Sequence, residues 1–367
     1  MRSIHILIAT HSPITAKFGA GQMAINLAEA LRAQGHDVTL WSPYPMPNLT
    51  RWWQGIQSIQ LMRSKLDAFI ETQEPFDVID CFPILITKRV AQSALVVARS
   101  VQPDILYIAS NLINPQEKGL KKNILLPFSY LIALANILLL LQAWKRSNYI
   151  LCLGSFELEW MNRWFPWWRS KLISYVNALS KTDQTVLANI RLHRKNYEYK
   201  GIRFLWIGRW TPHKGITELL EFIVKRAASH PQDTFTIAGC GANAEKDFAS
   251  ELIDSGRLKI LSSFERSQLY FLLANHDVGL FTSKLEGWGL VLNEMLESGM
   301  PIFATLAGGV PDLESFFETL MPFPPPLQFI PNILKFSNSI EDYYRVCSWD
   351  SIAEQYTFQI LTEIDLN

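Results

Sequence analysis

Short apolar runs alternate with segments of helical periodicity along nearly the whole chain. Residues 4–9 are predicted to form the first strand, and a helix over 22–34 follows after a polar loop that contains glycine. The first half also contains a strand in "GHDVTLW" and strands at 77–81, 95–98 and 149–153. Strands that alternate with helices favour an α/β architecture built on a parallel sheet.

The pattern loosens into polar and basic residues between about 177 and 200, which predicts a domain junction. A second series of predicted strands follows at 203–207, 235–238, 258–261, 278–281 and 302–304. We therefore expect two doubly wound domains, residues 1–180 and 181–345, that face each other across a cleft with ligands at the carboxyl ends of their strands. A proline-rich connection is predicted at 321–332. An amphipathic helix over 349–364, within residues 346–367, is expected to pack back on the first domain.

Composition narrows the class of partner. The chain has 367 residues, 49% of them hydrophobic, which is enough for a large core in about two domains. Basic and acidic residues number 34 each, so the overall charge does not indicate nucleic acid. Residues 1–180 hold 17 basic and 11 acidic side chains, against 17 and 23 in the remainder. This asymmetry suggests an anionic partner for the first domain, and undirected variation of surface charge is an equal alternative.

Cysteine usage and the N-terminus favour the cytoplasm. The four cysteines are far apart and form no CxxC pair, so neither a zinc site nor a disulfide framework is predicted. "MRSIHILIAT" has one basic residue and then enters the fold, without the apolar run and cleavage site of a signal peptide.

An uncharged run at 124–141, "ILLPFSYLIALANILLLL", is as long as the shortest membrane spans. Pro127, Ser129 and Asn136 interrupt it and a strand follows closely, which argues against a membrane span. We interpret it as a buried helix in preference to an element that rests on lipid. The nearby tryptophans are most simply core residues, and an acceptor platform or a lipid-interface belt is the alternative; they are Trp160, Trp164, Trp167 and Trp168.

Two stretches carry candidate chemistry. In "LWIGRWTPHKGI" (205–216) a strand ends at Gly208, and Arg209 and Lys214 precede a helix, an arrangement that suits a diphosphate. In "SKLEGWGLVLNEMLESG" (283–299), Gly287 and Gly289 would let backbone N–H groups approach an anion at a helix start.

The carboxylates of the second stretch are predicted to have different roles. Glu294, one turn inside the helix, can accept hydrogen bonds from two neighbouring sugar hydroxyls. Glu286 lies in the loop and is expected to be free to meet a second polyol. Glu297 is interpreted as part of a solvated helix face.

These residues resemble a known family. "EGWGLVLNE" with "SGMPIFATLAGGVPDLE" is similar to the signature of family 4 retaining glycosyltransferases, which belong to glycosyl transferases group 1 and have the GT-B fold of two Rossmann-like domains. "GRWTPHKG", "FGAGQMAINLAEALRAQGHDV" and "SWDSIAEQY" match in the expected order. The resemblance is specific over 205–313 and looser in the first domain.

The resemblance implies a reaction and a set of roles. A hexose-type sugar would pass from a UDP- or GDP-sugar to a hydroxyl acceptor without a metal ion, and its anomeric configuration would be retained. Arg209 and Lys214 would hold the diphosphate, Glu286 the transferred sugar and Glu294 the ribose. The implied donor-binding residues are Gly19, Gly21, Gly208, Gly287, Trp288, Gly289, Leu290 and Glu294.

Departures from the family pattern leave alternatives open. Val101 stands where many relatives have a histidine, Ala20 splits the first glycine pair, and Asn177-Ala178 replaces Asn-Gly. A non-catalytic GT-B protein that binds nucleotide sugar or assists another transferase is therefore one alternative, and an integral membrane protein is another. The expected acceptor is a carbohydrate or a lipid-linked precursor. The expected location is the cytoplasm, with possible peripheral contact with an anionic inner membrane face.

Overall fold

The computed structural model describes residues 2–15, 19–47, 54–113, 120–194, 201–242, 244–329 and 340–361. The last residues of the predicted junction (195–200), the end of the proline-rich connection (330–332) and the end of the predicted last helix (362–364) lie outside these ranges. The chain divides into two compact units: residues 1–177 with 346–367, and residues 178–345.

The first unit is built on a six-stranded parallel sheet with the order β2-β1-β3-β4-β5-β6. Its strands are β1 (His5–Ala9), β2 (Asp37–Trp41), β3 (Val78–Cys81), β4 (Leu95–Arg99), β5 (Tyr149–Leu153) and β6 (Leu172–Tyr175). Its helices are α1 (Gly19–Ala33), α2 (Gln54–Thr72), α3 (Val90–Ser93), α4 (Asp104–Ile113), α5 (Leu120–Arg146) and α6 (Gly154–Trp164).

The second unit has its own six-stranded parallel sheet, with the order β12-β11-β10-β7-β8-β9. Its strands are β7 (Arg203–Ile207), β8 (Thr234–Ala238), β9 (Leu258–Leu261), β10 (Val278–Phe281), β11 (Ile302–Ala304) and β12 (Leu320–Pro322). Its helices are α7 (Lys181–His193), α8 (Ile216–Ser229), α9 (Ser250–Asp254), α10 (Arg266–Asn275), α11 (Leu290–Glu297), α12 (Val310–Leu313) and α13 (Ile340–Val346).

Helix α14 (Trp349–Tyr356) and a short π-helical turn (Thr357–Leu361) complete the first unit. Helix α14 packs against α1, and Thr357 Oγ1 donates to Gln34 Oε1 at 2.6 Å. The Tyr356 ring covers the guanidinium of Arg99, 5.5 Å from ring centre to Cζ. Arg99 itself is buried and forms a bidentate pair with Asp80 on the neighbouring strand, with Nη2 2.6 Å from Oδ2.

The central strands form because their residues are buried on both faces of each sheet. Every residue of β3 and β10 is buried, as expected for central strands covered by helices on both sides. Strands β6 and β12, which were not predicted, are short edge strands with few buried residues. Helix α7 is a correction, because it occupies 181–193 of the region predicted to be loose. Its N-cap is Ser180, whose side chain accepts a hydrogen bond from Asp183 N.

Helix α5 differs from the buried helix predicted for 124–141. Tyr130, Leu131, Leu134 and Leu138 are 49 to 63% exposed, whereas Ala133, Leu140, Ala143 and Trp144 are buried. The helix therefore buries one face and presents an apolar face to its surroundings. No helix within the described ranges is long and apolar enough to cross a membrane.

The tryptophans after α5 fall into two groups. Trp160 and Trp168 pack against the core of the first unit, in agreement with the simpler interpretation. Trp164 and Trp167 are 58 and 67% exposed, so core packing does not account for them.

Candidate active site

The two stretches singled out in the sequence leave adjacent strands at the point where the strand order of the second sheet reverses. Strands β7 and β10 pair in parallel, with Leu280 opposite Trp206, and the chain proceeds outward from them in both directions. The carboxyl ends of the two strands at such a reversal flank the usual ligand crevice of an open α/β sheet. Loop 208–215 follows β7 and loop 282–289 follows β10.

Backbone and side-chain hydrogen bonds join these two loops. His213 O accepts a hydrogen bond from Lys284 N at 2.8 Å. Thr282 Oγ1 donates to Lys214 O at 2.7 Å and accepts from Trp206 Nε1 at 3.0 Å. These bonds fix the loop that carries Lys214 against the loop that carries Glu286.

Gly215 permits this close approach. Its φ is +67°, and a Cβ added there would lie 1.8 Å from the carbonyl oxygen of Thr282. Any side chain would both strain the backbone and separate the two loops. The glycine of "HKG" is therefore required by the geometry that brings the loops together.

Lys214 and Glu286 form an ion pair across the two loops. Their side chains are only 16 and 14% exposed, and Ser283 Oγ donates to Glu286 Oε2 at 3.2 Å. The prediction that Glu286 is free was wrong, because its carboxylate holds the Lys214 ammonium. The pair places one positive and one negative group side by side, and each can contact a different part of a ligand.

His213 is close enough to the charged side chains of the predicted site for them to shift its pKa. Its pKa is lowered first by burial and then by the positive charges of Lys214 and Arg209, while Glu286 opposes the shift. The imidazole is therefore neutral at physiological pH, with Nε2 3.2 Å from Thr211 Oγ1. Arg209 is exposed, and among the residues that the structure describes no carboxylate forms an ion pair with it. Its guanidinium is thus available to an anion.

The turn at Gly287–Leu290 contributes backbone to this site. Gly289 has a φ of +88° and caps α11, and its missing Cβ would lie 2.8 Å from the Phe281 ring. The first N–H groups of α11 have no partners within the helix. Trp288 is 2% exposed and donates its indole N–H to Asn293 Oδ1 at 2.7 Å, so its side chain is a packing element. A ligand at this turn would meet main-chain groups.

Glu294 is buried on α11 at 4% exposure and forms an ion pair with Arg266 of α10. Burial raises the pKa of the Glu294 carboxyl to about 7, although the Arg266 charge opposes the shift. Arg266 precedes Glu294 by 28 residues and belongs to neither of the two motif stretches, 205–216 and 283–299, so the motifs do not predict it.

The prediction that Glu297 belongs to a solvated helix face was wrong. Its side chain is fully buried and accepts hydrogen bonds from Tyr343 Oη at 2.8 Å and Tyr344 Oη at 2.9 Å. Tyr343 Oη also accepts from Asn293 Nδ2 at 2.7 Å. A buried polar chain therefore runs from Trp288 through Asn293 and Tyr343 to Glu297, and it fixes α11 against α13.

Gly19 and Gly21 lie in the first unit, in the first turn of α1 and not in a loop before it. A Cβ on Gly21 would come within 2.4 Å of the Pro13 carbonyl oxygen, so close packing requires a glycine there. Val101 packs against the core of this unit. The His11 ring stacks on Phe82 with centroids 4.0 Å apart, and burial lowers its pKa to about 4.

The comparison with known protein families decides the identity of the second unit. Residues 190–328 match the family described as "Glycosyl transferases group 1". They form a group 1 glycosyl transferase domain. The group 1 domain includes both loops, Lys214, Glu286, Arg266 and Glu294, so the resemblance to glycosyl transferases group 1 is confirmed, whereas the assignment to family 4 stays a prediction.

Similar proteins extend the comparison. A stretch of 111 residues is 32% identical to the GPI3 subunit of phosphatidylinositol N-acetylglucosaminyltransferase from Saccharomyces cerevisiae. It covers 29% of this chain and 24% of the yeast protein, so the match spans about a quarter of that relative.

Solved structures show the fold of the whole chain. Sucrose-phosphate synthase from Thermosynechococcus elongatus aligns over 100% of both chains with a TM-score of 0.68 and 15% identity. HepE from Anabaena, solved in complex with UDP, aligns over 99% of this chain and 100% of its own with a TM-score of 0.54 and 15% identity. The chain has the GT-B fold, as its sequence predicts.

Proposed function

We propose that the protein is a retaining glycosyltransferase that moves a hexose-type sugar from a UDP- or GDP-sugar to a hydroxyl acceptor. The observation that supports this most directly is the Lys214–Glu286 pair, which lies with Arg209 at the strand-order reversal of the group 1 domain. Arg209 and Lys214 are cations that can bind a diphosphate, and Glu286 is a carboxylate that can accept hydrogen bonds from sugar hydroxyls.

The proposed roles follow from the chemistry of each group. Arg209 and Lys214 bind the diphosphate and stabilise the charge that develops on it as the glycosidic bond breaks, so no metal ion is needed. The ammonium of Lys214 has three donors, so it can contact both a phosphate oxygen and Glu286. Glu286 then accepts a hydrogen bond from the transferred sugar, and Glu294 binds the ribose.

Retention in a single step, without a covalent glycosyl-enzyme, requires the acceptor hydroxyl to attack from the face that the leaving group departs from. In the proposed reaction the acceptor oxygen forms the new bond to the anomeric carbon as the bond to the diphosphate oxygen breaks. An oxygen of the departing diphosphate takes the acceptor proton. No enzymatic nucleophile is needed, and the protein contributes position and electrostatic stabilisation.

UDP is the first donor nucleotide to test, because HepE binds it within the same fold. A lipid-linked acceptor is also proposed, since the yeast relative is named for transfer to phosphatidylinositol. The second candidate function is a non-catalytic partner of another transferase, and the observation that favours it is Val101 at the position where many relatives have a histidine.

Incubation with UDP- and GDP-hexoses and a panel of hydroxyl acceptors is expected to release nucleoside diphosphate and give a product of unchanged anomeric configuration, measured by NMR. Transfer is expected to persist in EDTA. Glu286→Gln should lower kcat/KM about 100-fold, because it removes a sugar contact and the partner of Lys214. Glu221→Gln, an exposed change on α8, is the matched control.

Each outcome has a distinct meaning. The non-catalytic function would be favoured if the wild type binds nucleotide but turns over no donor with any acceptor, and if Glu286→Gln behaves in the same way. An inverted product, or activity that EDTA abolishes, would contradict the proposed mechanism.

We also propose that the protein is cytoplasmic and contacts an anionic inner membrane face through the first unit. The exposed apolar face of α5 and the exposed Trp164 and Trp167 support this proposal. Arg163 lies beside the Trp164 ring, 6.0 Å from its centre, as in side-chain pairs that favour a lipid interface. Cys81, Cys152 and Cys240 are buried thiols, which suits a reducing compartment.

Flotation with vesicles that contain phosphatidylglycerol is expected to carry the protein upward at low salt. The Leu134→Gln/Leu138→Gln double variant should bind at least about tenfold more weakly, because each leucine gives up about 1.5 kcal/mol or more of apolar burial. Leu192→Gln changes a leucine of the second unit that is even more exposed, at 77%, and should not change binding. Equal flotation of all three proteins would contradict the proposed surface.

A further inference from the structure

Arg266 connects two buried carboxylates of the second unit. One edge of its guanidinium is bidentate to Asp183, with Nε 3.2 Å from Oδ1 and Nη2 2.8 Å from Oδ2. Its remaining terminal nitrogen, Nη1, donates to Glu294 Oε1. The planar fork of arginine makes this arrangement directional, since fixing one edge on Asp183 also fixes where Nη1 points.

Asp183 is itself held in place. Ser180 Oγ donates to its Oδ2 at 2.8 Å, and Tyr270 donates its hydroxyl to Oδ1. Burial alone would raise the Asp183 pKa, but hydrogen bonds from Tyr270, Arg266 and Ser180 bring it below the usual value. Asp183 is therefore ionised at neutral pH and fixes Arg266 by charge as well as by geometry.

Glu294 is held through one oxygen only. Arg266 binds Oε1, and among the described residues none donates to Oε2. The side chain of Glu294 is 6% exposed, so the carboxylate reaches the surface through a small opening. A carboxylate fixed by one oxygen presents the other to a ligand in a single orientation.

We infer that Arg266 is a positioning residue for the nucleotide, because it fixes Glu294 through Oε1 and leaves Oε2 to accept a hydrogen bond from the ribose of the donor. This inference deepens the proposed function and depends on the role of Glu294 in it. Arg266 touches no reacting atom and acts through Glu294.

The charged groups around Glu294 determine how binding depends on pH. Arg266 on α10 and Asp183 on α7 act on Glu294 directly. Tyr270 on α10 donates to Asp183, and Glu297, one turn further along α11, feels the charges of Arg191 and Asp183 on α7. With the Glu294 pKa raised to about 7 by burial, the ionised form that accepts from ribose is lost as pH falls through that value. The positive charge of Arg266 lowers this pKa, so removing Arg266 should raise it. The ionised form of Glu294 should then be lost at a higher pH.

The test is calorimetric titration with UDP and with GDP at several pH values across neutrality. Wild-type affinity is expected to fall about tenfold for each pH unit below the Glu294 pKa. Arg266→Gln should raise the Kd about tenfold near pH 7.5 and move the pH midpoint upward. Arg266→Lys restores the charge without the fork, so it should return the midpoint toward the wild-type value while affinity recovers only in part.

Two controls keep the inference separate from the proposed function. Arg203→Gln breaks another ion pair of the second unit, with Asp277, and should leave the pH profile unchanged. Glu294→Gln should abolish the pH dependence that Glu294 contributes and leave only that of the ligand's terminal phosphate, whose second pKa is about 6. If Glu294→Gln alters neither affinity nor pH dependence, the proposed ribose site fails.

A second outcome would contradict only the role of Arg266. In it, Glu294→Gln abolishes the pH dependence of the Kd that Glu294 contributes, but Arg266→Gln folds and keeps the wild-type pH midpoint. Thermal unfolding of each variant identifies a protein that has not folded. If Arg266→Gln does not fold, the pH dependence of nucleotide binding by Arg266→Lys decides the inference.

Discussion

Replacing Lys214 with methionine is expected to lower kcat/KM for sugar transfer about 10³-fold, equivalent to about 4 kcal/mol of transition-state stabilisation. Methionine keeps the length of the side chain and removes its charge. The variant loses a contact with the leaving diphosphate and also leaves Glu286 without its partner, in a loop where that carboxylate is only 14% exposed. Steady-state kinetics with the best donor measures the effect.

Lys284→Met is the matched control, because Lys284 lies in the adjacent loop and pairs with Glu218 at a more exposed position. Its activity should remain within about threefold of wild type. A comparable loss in both variants would show that local positive charge in general, and not the ammonium of Lys214, supports the reaction. An active Lys214→Met variant would contradict the proposed mechanism.

Replacing Arg226 with methionine is expected to lower the free energy of unfolding of the second unit by about 4 kcal/mol. Arg226 and Asp233 are both fully buried, with Nε 2.6 Å from Oδ2. Arg226 also donates to Leu327 O and Phe329 O, so the variant leaves two acceptors and a buried carboxylate without this partner. Among the residues that the structure describes, the Asp233 carboxylate would then keep the hydrogen bond from Ile202 N at 2.8 Å and no other.

Denaturant unfolding followed by tryptophan fluorescence measures this effect. Lys225→Met provides the control, since the adjacent Lys225 forms an exposed i,i+4 pair with Glu221 at 3.8 Å. That variant should change the free energy of unfolding by less than about 0.5 kcal/mol. Equal stability of the two variants would show that the buried pair contributes nothing beyond an exposed one.

Much of the fold could be predicted from the sequence because a buried strand leaves a strong local pattern. Predicted strands such as 149–153 and 203–207 coincide with the observed β5 and β7. Strands β6 and β12 were missed because they are only four and three residues long and bury at most one residue each, and β12 ends in a proline. Helix α7 had a usable signal, since Ser180 and Asp183 form its cap, but the surrounding basic residues obscured it.

The candidate site was predictable as a set of residue types but not as a set of contacts. The motifs selected Lys214 and Glu286, yet their pairing depends on the strand order that places β7 beside β10, which no local pattern reveals. Arg266 was missed for the same reason, because only the fold brings α10 against α11. Helix α5 was misjudged because a uniformly apolar run does not show which of its faces is covered.

The path of the chain through the two units has a consequence for synthesis. The second unit is contiguous, whereas the first is completed only by residues after 345, which include the buried Tyr356, Ile360 and Leu361. During synthesis, the second sheet can therefore be complete before the last helix of the first unit has been made. Truncation near residue 346 should leave the second unit intact and expose the interior of the first.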